Sequence, residues 1–250
     1  MNGALQRELA HHEKLYSGFA QSHFARPAVR ALRAHMVSRI LRLTGAGTNS
    51  RILSLGCGIG DTELLLAPHV GEVTGIDLSP AAVRQARADA EKLGIHNARF
   101  EQGTTTPGQY NGQYDVAIAI FFLHHLPDPA LADLPRLVKR LLLPGGVFYS
   151  LDPSRGRLSG AIGRLLIPNL MKRYQTEDER ELEPESTAAL FRSAGLEARV
   201  AMYDFGSSPL AGLFPGWRAG YRLARRLDDV LLRVPALRRR GSNFEIVATL

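Results

Sequence analysis

The stretch Leu53-Ser-Leu-Gly-Cys-Gly-Ile-Gly-Asp-Thr-Glu is a short apolar run that ends on closely spaced glycines and then continues into a helix-forming segment. A buried strand, a tight turn and a helix fit that order. Glycines at 56, 58 and 60 tolerate left-handed backbone and let a ligand come close to the main-chain amides. The alternation recurs along the chain. Strands are predicted at 51–55, 72–77, 98–102, 114–122 and 147–151. Helices are predicted at 80–93, closed by Gly94, and at 131–143, stopped by Pro144-Gly145-Gly146. Strands separated by helices mean a parallel sheet covered on both faces, as the nearly unbroken apolar run at 114–122 also requires. A helix near 185–193 and strands at 196–205 and 243–249 follow, and a long helical-looking stretch at 215–240 breaks the rhythm between those strands. Upstream, 1–43 reads as helical, with Ala28, Leu32, Met36, Ile40 and Leu43 at helical spacing.

With 250 residues and 45% hydrophobic content, the chain suits one α/β domain. Its expected parts are a helical cap at 1–45, a ligand-binding core at 51–153, and insertions at 158–182 and 206–241. The only cysteine, Cys57, excludes an intrachain disulfide and points to a reducing, cytoplasmic setting. No apolar run reaches the roughly 18 residues of a membrane span, and the N-terminus lacks a secretory apolar stretch. The net charge of +7 is concentrated: residues 206–241 hold eight arginines against Asp228 and Asp229. That clustering, without a basic groove interleaved with aromatics, gives no reason to expect nucleic acid as a partner.

Which ligand the glycine turn takes is a matter of spacing. A dinucleotide loop has a third glycine where the helix begins, with pyrophosphate on the helix N-terminus. Here that position is Asp61, whose carboxylate repels a pyrophosphate and suits a ligand with a positive centre. Asp77 ends the second strand, 17 residues beyond Gly60, where an acid can accept both hydroxyls of a ribose. Leu78 then stands as an apolar wall for a base, while Ser79 is the better helix cap.

Taken together, ILSLGCGIGDTE, VTGIDLSPAAVRQAR, YDVAIAIFFLHHLPDP and LPRLVKRLLLPGGVFYSLDP resemble the class I S-adenosylmethionine-dependent methyltransferases. The similarity is to the small-molecule type that includes the ubiquinone and menaquinone biosynthesis enzymes, and it spans residues 51–153. The resemblance implies a doubly wound, Rossmann-like seven-stranded sheet with an antiparallel last strand. It implies S-adenosylmethionine, a phosphate-free sulfonium, as cofactor. By the same resemblance Gly56, Cys57, Gly58 and Gly60 line the methionine part, Asp77 holds the ribose, Leu78 flanks the adenine, and Ser54, Gly103, Thr104 and Phe121 complete the site. Two positions depart from the family pattern: Ser54 stands where an acid usually holds the cofactor's ammonium, and Thr104 where an acid usually receives the adenine amino group.

His124 and His125 follow the fourth strand, where the crevice of a parallel sheet opens. Either imidazole is a candidate base for a hydroxyl or amine acceptor, and a packing pair is the alternative. A missing base would not disqualify an enzyme here, since methyl transfer needs mainly in-line approach and desolvation. No metal site is expected: the adjacent pairs His11-His12 and His124-His125 cannot share one helical face. In the family fold the acceptor lies under the N-terminal helices and the insertions, which makes Tyr16, Phe19, Phe122 and Trp217 candidates to contact a small, lipophilic acceptor with an acidic or polar head. The arginine-bearing amphipathic stretch has three readings: a solvated lid, a contact with an anionic membrane surface, or a collector of acidic substrate. A nicotinamide-dependent oxidoreductase, and a partner subunit that binds the cofactor without transferring it, are the alternative functions.

Overall fold

The computed structural model describes residues 25–104, 114–157, 181–237 and 239–250. Its first described element is α1 (Pro27–Thr44), started by a proline at the first helical position and ended by Gly45 at φ 70°. After β1 (Arg51–Leu55) the glycine turn leads into the short α2 (Asp61–Leu66). Next come β2 (Glu72–Asp77), α3 (Pro80–Leu93) and β3 (Ala98–Gln102). Helix α3 starts where Ser79 Oγ accepts the Ala82 amide at 3.2 Å, a cap of the kind that stabilises a helix by about 1 kcal/mol. The next elements are β4 (Tyr114–Ile120), α4 (Asp128–Leu141) and β5 (Leu142–Pro153). The chain closes with α5 (Pro184–Ser193), β6 (Glu197–Asp204), α6 (Ser207–Leu213), α7 (Arg218–Leu231) and β7 (Asn243–Thr249).

Among the described residues one seven-stranded sheet forms, in the order β3-β2-β1-β4-β5-β7-β6. The pairs from β3 to β5 are parallel, and β7 runs antiparallel between β5 and β6. This is the doubly wound architecture with a reversed last strand that the family resemblance implies. Two apolar layers cover the sheet. One joins α4 and α5 to Phe148, Phe244 and Ile246, with Phe148 and Phe191 stacked at 4.8 Å. The other joins α1 to Val116, Ile118, Tyr149, Tyr203 and Tyr221. Within that layer Arg39 reaches the buried Glu245 carboxylate, which also accepts the Tyr149 hydroxyl at 3.1 Å.

Several boundaries differ from the sequence reading, and the helix expected at 131–143 runs instead over Asp128–Leu141. The fourth strand stops at Ile120, because Phe121 turns to φ 54°, the only left-handed non-glycine residue among those described. The fifth strand begins at Leu142 and passes through Pro144-Gly145-Gly146, with Gly145 at φ 78° and a register shift against β4. The stretch at 215–240 is not one helix. Pro215 and Gly216 separate α6 from α7, and α7 ends at Leu231, ahead of Pro235. Residues 1–24, with Tyr16 and Phe19, and the insertion at 158–180 lie outside the described residues.

Helix α7 also faces the other way round from a usual amphipathic helix. Its buried side chains are Tyr221, Arg225 and Asp228, while Leu223, Leu227 and Val230 are exposed. Polar bonds fix this orientation. The Arg225 guanidinium donates to Tyr203 O and to Asp229 Oδ1, each at 2.9 Å. The Asp228 carboxylate accepts the Gly206 and Ser207 amides at 3.0 and 2.9 Å, satisfying the start of α6.

Candidate active site

The carboxyl ends of β1, β2, β4 and β5 converge on one edge of the sheet, which is where ligands bind in open α/β folds. There the glycine turn is tied down from both sides. The Gly56 and Cys57 amides both donate to Ile76 O, at 2.9 and 3.0 Å, and the Gly60 amide donates to Cys57 O at 3.0 Å. Gly56, Gly58 and Gly60 sit at φ 68°, 54° and 73°. At Gly60 a Cβ would lie 2.7 Å from the Phe100 ring, and at Gly56 2.2 Å from the Phe122 ring. The turn therefore requires glycine at 56 for close packing on Phe122 as much as for its conformation.

Asp77 is the hub of this edge. Its Oδ2 accepts the Gly58 amide and its Oδ1 the Ser79 amide, both at 2.8 Å, while its carbonyl accepts the Gly103 amide at 3.0 Å. Each carboxylate oxygen keeps a second lone pair. The acid is thus pre-set in position with acceptor capacity left for two hydroxyls. Leu78 is half-buried beside it, and Gly103 and Thr104 are half-buried at the end of β3.

The structure brings in two residues that the motifs alone did not single out. Ser54 Oγ donates to Glu63 Oε1 at 2.6 Å, both side chains being buried, and Glu63 Oε2 has no hydrogen-bond partner among the described residues. A carboxylate missing from β1 is thus present nearby, supplied from α2. The second residue is Arg33. Its Nε lies 2.6 Å from Asp61 Oδ2, and its guanidinium also donates to Thr62 Oγ1 at 3.2 Å. The repulsion of a pyrophosphate expected from Asp61 is therefore offset by a guanidinium from α1. The negative charge left at the turn is that of Asp77 and, when ionised, Glu63. A buried, half-satisfied carboxylate beside glycine backbone suits a cationic ligand such as the sulfonium and ammonium of S-adenosylmethionine.

Burial pushes the Glu63 carboxyl up from its ordinary 4.5 to about 7, against the lowering effect of the Ser54 hydrogen bond. The native state therefore keeps this proton to higher pH than the unfolded chain does. Its contribution to stability is whole below about pH 4.5 and is lost as the pH rises through about 7. A Glu63→Gln variant has no proton to lose. Relative to wild type its stability should rise by on the order of 3 kcal/mol from pH 4.5 to 8 in urea melts. A difference independent of pH would place the Glu63 carboxyl at its ordinary value. Burial pushes the Cys57 thiol well up too, so Cys57 is a neutral packing residue against Gly75 and Phe100.

At the next strand ends, His124 Nδ1 lies 3.0 Å from Asp152 Oδ1, and the same oxygen accepts the His124 amide at 3.3 Å. Asp152 is fully buried and His124 nearly so, with the His125 ring against it at 3.9 Å between centroids. The Asp152 carboxylate thus holds the His124 ring in place from below the strand ends. Phe121 and Phe122 diverge, Phe121 packing with the α1 layer and Phe122 with the α4 layer. Arg33 stands 5.8 Å from the Phe121 ring. Trp217 is 55% exposed, resting on Gly220 and edge-on to Phe214, so it is not gathered with the other site residues by any of these contacts. Among the described residues no group of three or more His, Cys, Asp or Glu side chains is placed to hold a metal.

Comparison with known proteins gives the family and the fold. A family described as a methyltransferase domain matches residues 52–146. A ubiquinone biosynthesis O-methyltransferase from Aromatoleum aromaticum is 32% identical over 178 residues, covering 68% of this chain and 71% of the relative. One of the same description from Xanthomonas euvesicatoria is 28% identical over 205 residues, covering 80% of each. In fold, the chain is similar to the magnesium protoporphyrin IX methyltransferase of Synechocystis with bound SAH. That likeness has a TM-score of 0.65 at 15% identity and covers 97% of this chain and 99% of the other. A Haloferax volcanii putative methyltransferase, solved with a methyltransferase activator, also scores 0.65, at 17% identity, with 95% and 96% covered.

Proposed function

Because the chain belongs to the class I S-adenosylmethionine-dependent methyltransferases, we propose that its acceptor is a hydroxyl on a small, lipophilic molecule with a polar or acidic head, and that His124 removes the hydroxyl proton. The membership itself makes the protein an enzyme that uses S-adenosylmethionine. The choice of oxygen, of a lipophilic skeleton and of individual residues is the proposal. One observation carries it: the buried His124–Asp152 pair at the ends of β4 and β5, on the edge that also holds the glycine turn. The O-methyltransferase description of the relatives points the same way.

When bound, S-adenosylmethionine supplies an electrophilic methyl group on a cationic sulfur. The remaining work falls to this chain. Asp77 accepts the ribose hydroxyls with the lone pairs that Gly58 and Ser79 leave unused. Gly56, Cys57, Gly58 and Gly60 bring bare backbone against the amino-acid end, with Ser54 orienting Glu63 toward its ammonium. Leu78, Gly103, Thr104 and Phe121 border the nucleoside. Asp152 accepts Nδ1–H of His124 and so fixes the tautomer with a lone pair on Nε2, the atom that takes the acceptor's proton. Phe122 borders the acceptor and excludes water. Within the described residues, the cap from 25 to 45 and the segment 206–241 belong to the same single domain as the cofactor-binding core.

The test offers the protein methyl-labelled S-adenosylmethionine with a lipophilic phenol and with the aniline of the same skeleton. Label in the methyl ether, with little in the amine, is expected. Label confined to nitrogen or carbon would overturn the oxygen assignment while leaving the family assignment intact.

A further inference from the structure

Among the described residues, seven of the eight large hydrophobic side chains that lie exposed fall between Leu213 and Val234, on and around α7. Chance exposure does not concentrate in this way. Rotation of α7 to bury its leucines is blocked by the bonds of Arg225 and Asp228, whose buried charges would lose their partners. The outward apolar face is therefore a built feature of the fold.

The pattern on that face is specific. Leu223, Leu227 and Val230, at spacings of four and three, make one stripe along the helix. Arg218, Arg222 and Arg226, each four apart and each exposed, make the stripe beside it. Asp229, the acid on the exposed side, is already paired with Arg225. Phe214 and Trp217, both more than half exposed, extend the apolar stripe past the helix start.

From this geometry we infer that the outer face of α7 docks the protein on an anionic lipid surface, leucines and aromatics in the acyl boundary and arginines among the headgroups. A bilayer interface offers hydrocarbon and negative charge side by side at adjacent depths, which is the order in which this face presents apolar and basic groups. A tryptophan next to the stripe suits the same boundary. A second copy of the chain fits less well, because among the described residues this face offers no unpaired acidic stripe to meet the arginines of another copy. The inference is independent of which acceptor the site takes, although docking would bring the protein to where a lipophilic acceptor dissolves.

Trp217 is the only tryptophan of the chain and reports on this face directly. The intact protein is mixed with vesicles of phosphatidylcholine alone or of phosphatidylcholine with phosphatidylglycerol, and flotation and Trp217 emission are recorded. Binding and a blue shift are expected with the anionic vesicles, weakening as salt is raised. The L223E/L227E double variant should partition at least about tenfold less, and R222E/R226E should lose the preference for anionic lipid. Undiminished affinity for S-adenosylhomocysteine would confirm that the variants are folded. Equal partitioning of wild type and L223E/L227E, or none by wild type, would overturn the inference. So would a blue shift that follows protein concentration without vesicles, which would assign the face to self-association.

Discussion

Asp77→Ala should bind S-adenosylhomocysteine more weakly than wild type by roughly 2–4 kcal/mol, about 30- to 1000-fold, the loss expected for two charge-assisted hydrogen bonds. The carboxylate does two jobs in this structure. It holds the Gly58 and Ser79 amides, which shapes the turn, and it keeps lone pairs for the ribose. Weaker binding by the variant alone would not separate them. Comparison with the 2′,3′-dideoxy analogue does. Wild type should discriminate strongly between the two ligands, and Asp77→Ala hardly at all, because the coupling between a carboxylate and the hydroxyls it accepts vanishes when either is removed. If the variant kept the full preference for the hydroxylated ligand, Asp77 would be a turn-holding residue only. Asp77→Asn should resemble the alanine variant, since its NH₂ group would face an amide donor where an acceptor oxygen now stands.

His124→Ala should lower kcat by roughly 10²- to 10⁴-fold with a hydroxyl acceptor, the usual range for loss of a positioned base, while affinity for S-adenosylhomocysteine stays unchanged. A packing histidine could also lower kcat if its removal disturbed the strand ends, so a second readout is needed. Across phenols of falling pKa the loss should shrink, since an acceptor already ionised in solution has no proton to give up. A purely structural role would cost the same for every phenol. Asp152→Asn should fall between wild type and His124→Ala, because the imidazole remains while its tautomer is no longer fixed. If His124 is the base, His125→Ala should affect the rate less than His124→Ala.

Much of this site was legible in the sequence because its signals are local. The strand, the glycine turn and the following helix lie within about a dozen residues, and the turn's geometry demands glycine. Asp77 was readable for the same reason, standing at the end of the next strand at a spacing set by the intervening helix. The residues that escaped were those whose meaning comes from distant partners. Ser54 read alone is a lost acid, and only the packing of α2 on β1 shows Glu63 2.6 Å away. Asp61 read alone is a free negative charge, yet Arg33, on a helix that precedes the sheet, lies against it.

The same limit applies to larger elements. The apolar and basic positions of α7 follow from periodicity, but which stripe faces inward does not. A leucine stripe normally packs inward, and here Arg225 and Asp228 override that preference because Tyr203 O and the start of α6 need their hydrogen bonds. The end of β4 could not be placed either: Phe121 favours a strand by composition, yet its left-handed backbone ends the strand just ahead of the turn that carries His124. Such strain at the rim of a binding crevice is common where side chains must be aimed rather than merely packed.

All of these roles depend on the turn at 56–60, together with Asp77, taking a cationic nucleoside without phosphate. The direct measurement is a calorimetric titration of the purified protein with S-adenosylhomocysteine and, separately, with NAD. Saturable binding of S-adenosylhomocysteine at one site per chain, with no measurable heat from NAD, is the expected result. Tighter binding of NAD, or no binding of S-adenosylhomocysteine to folded protein, would contradict the account.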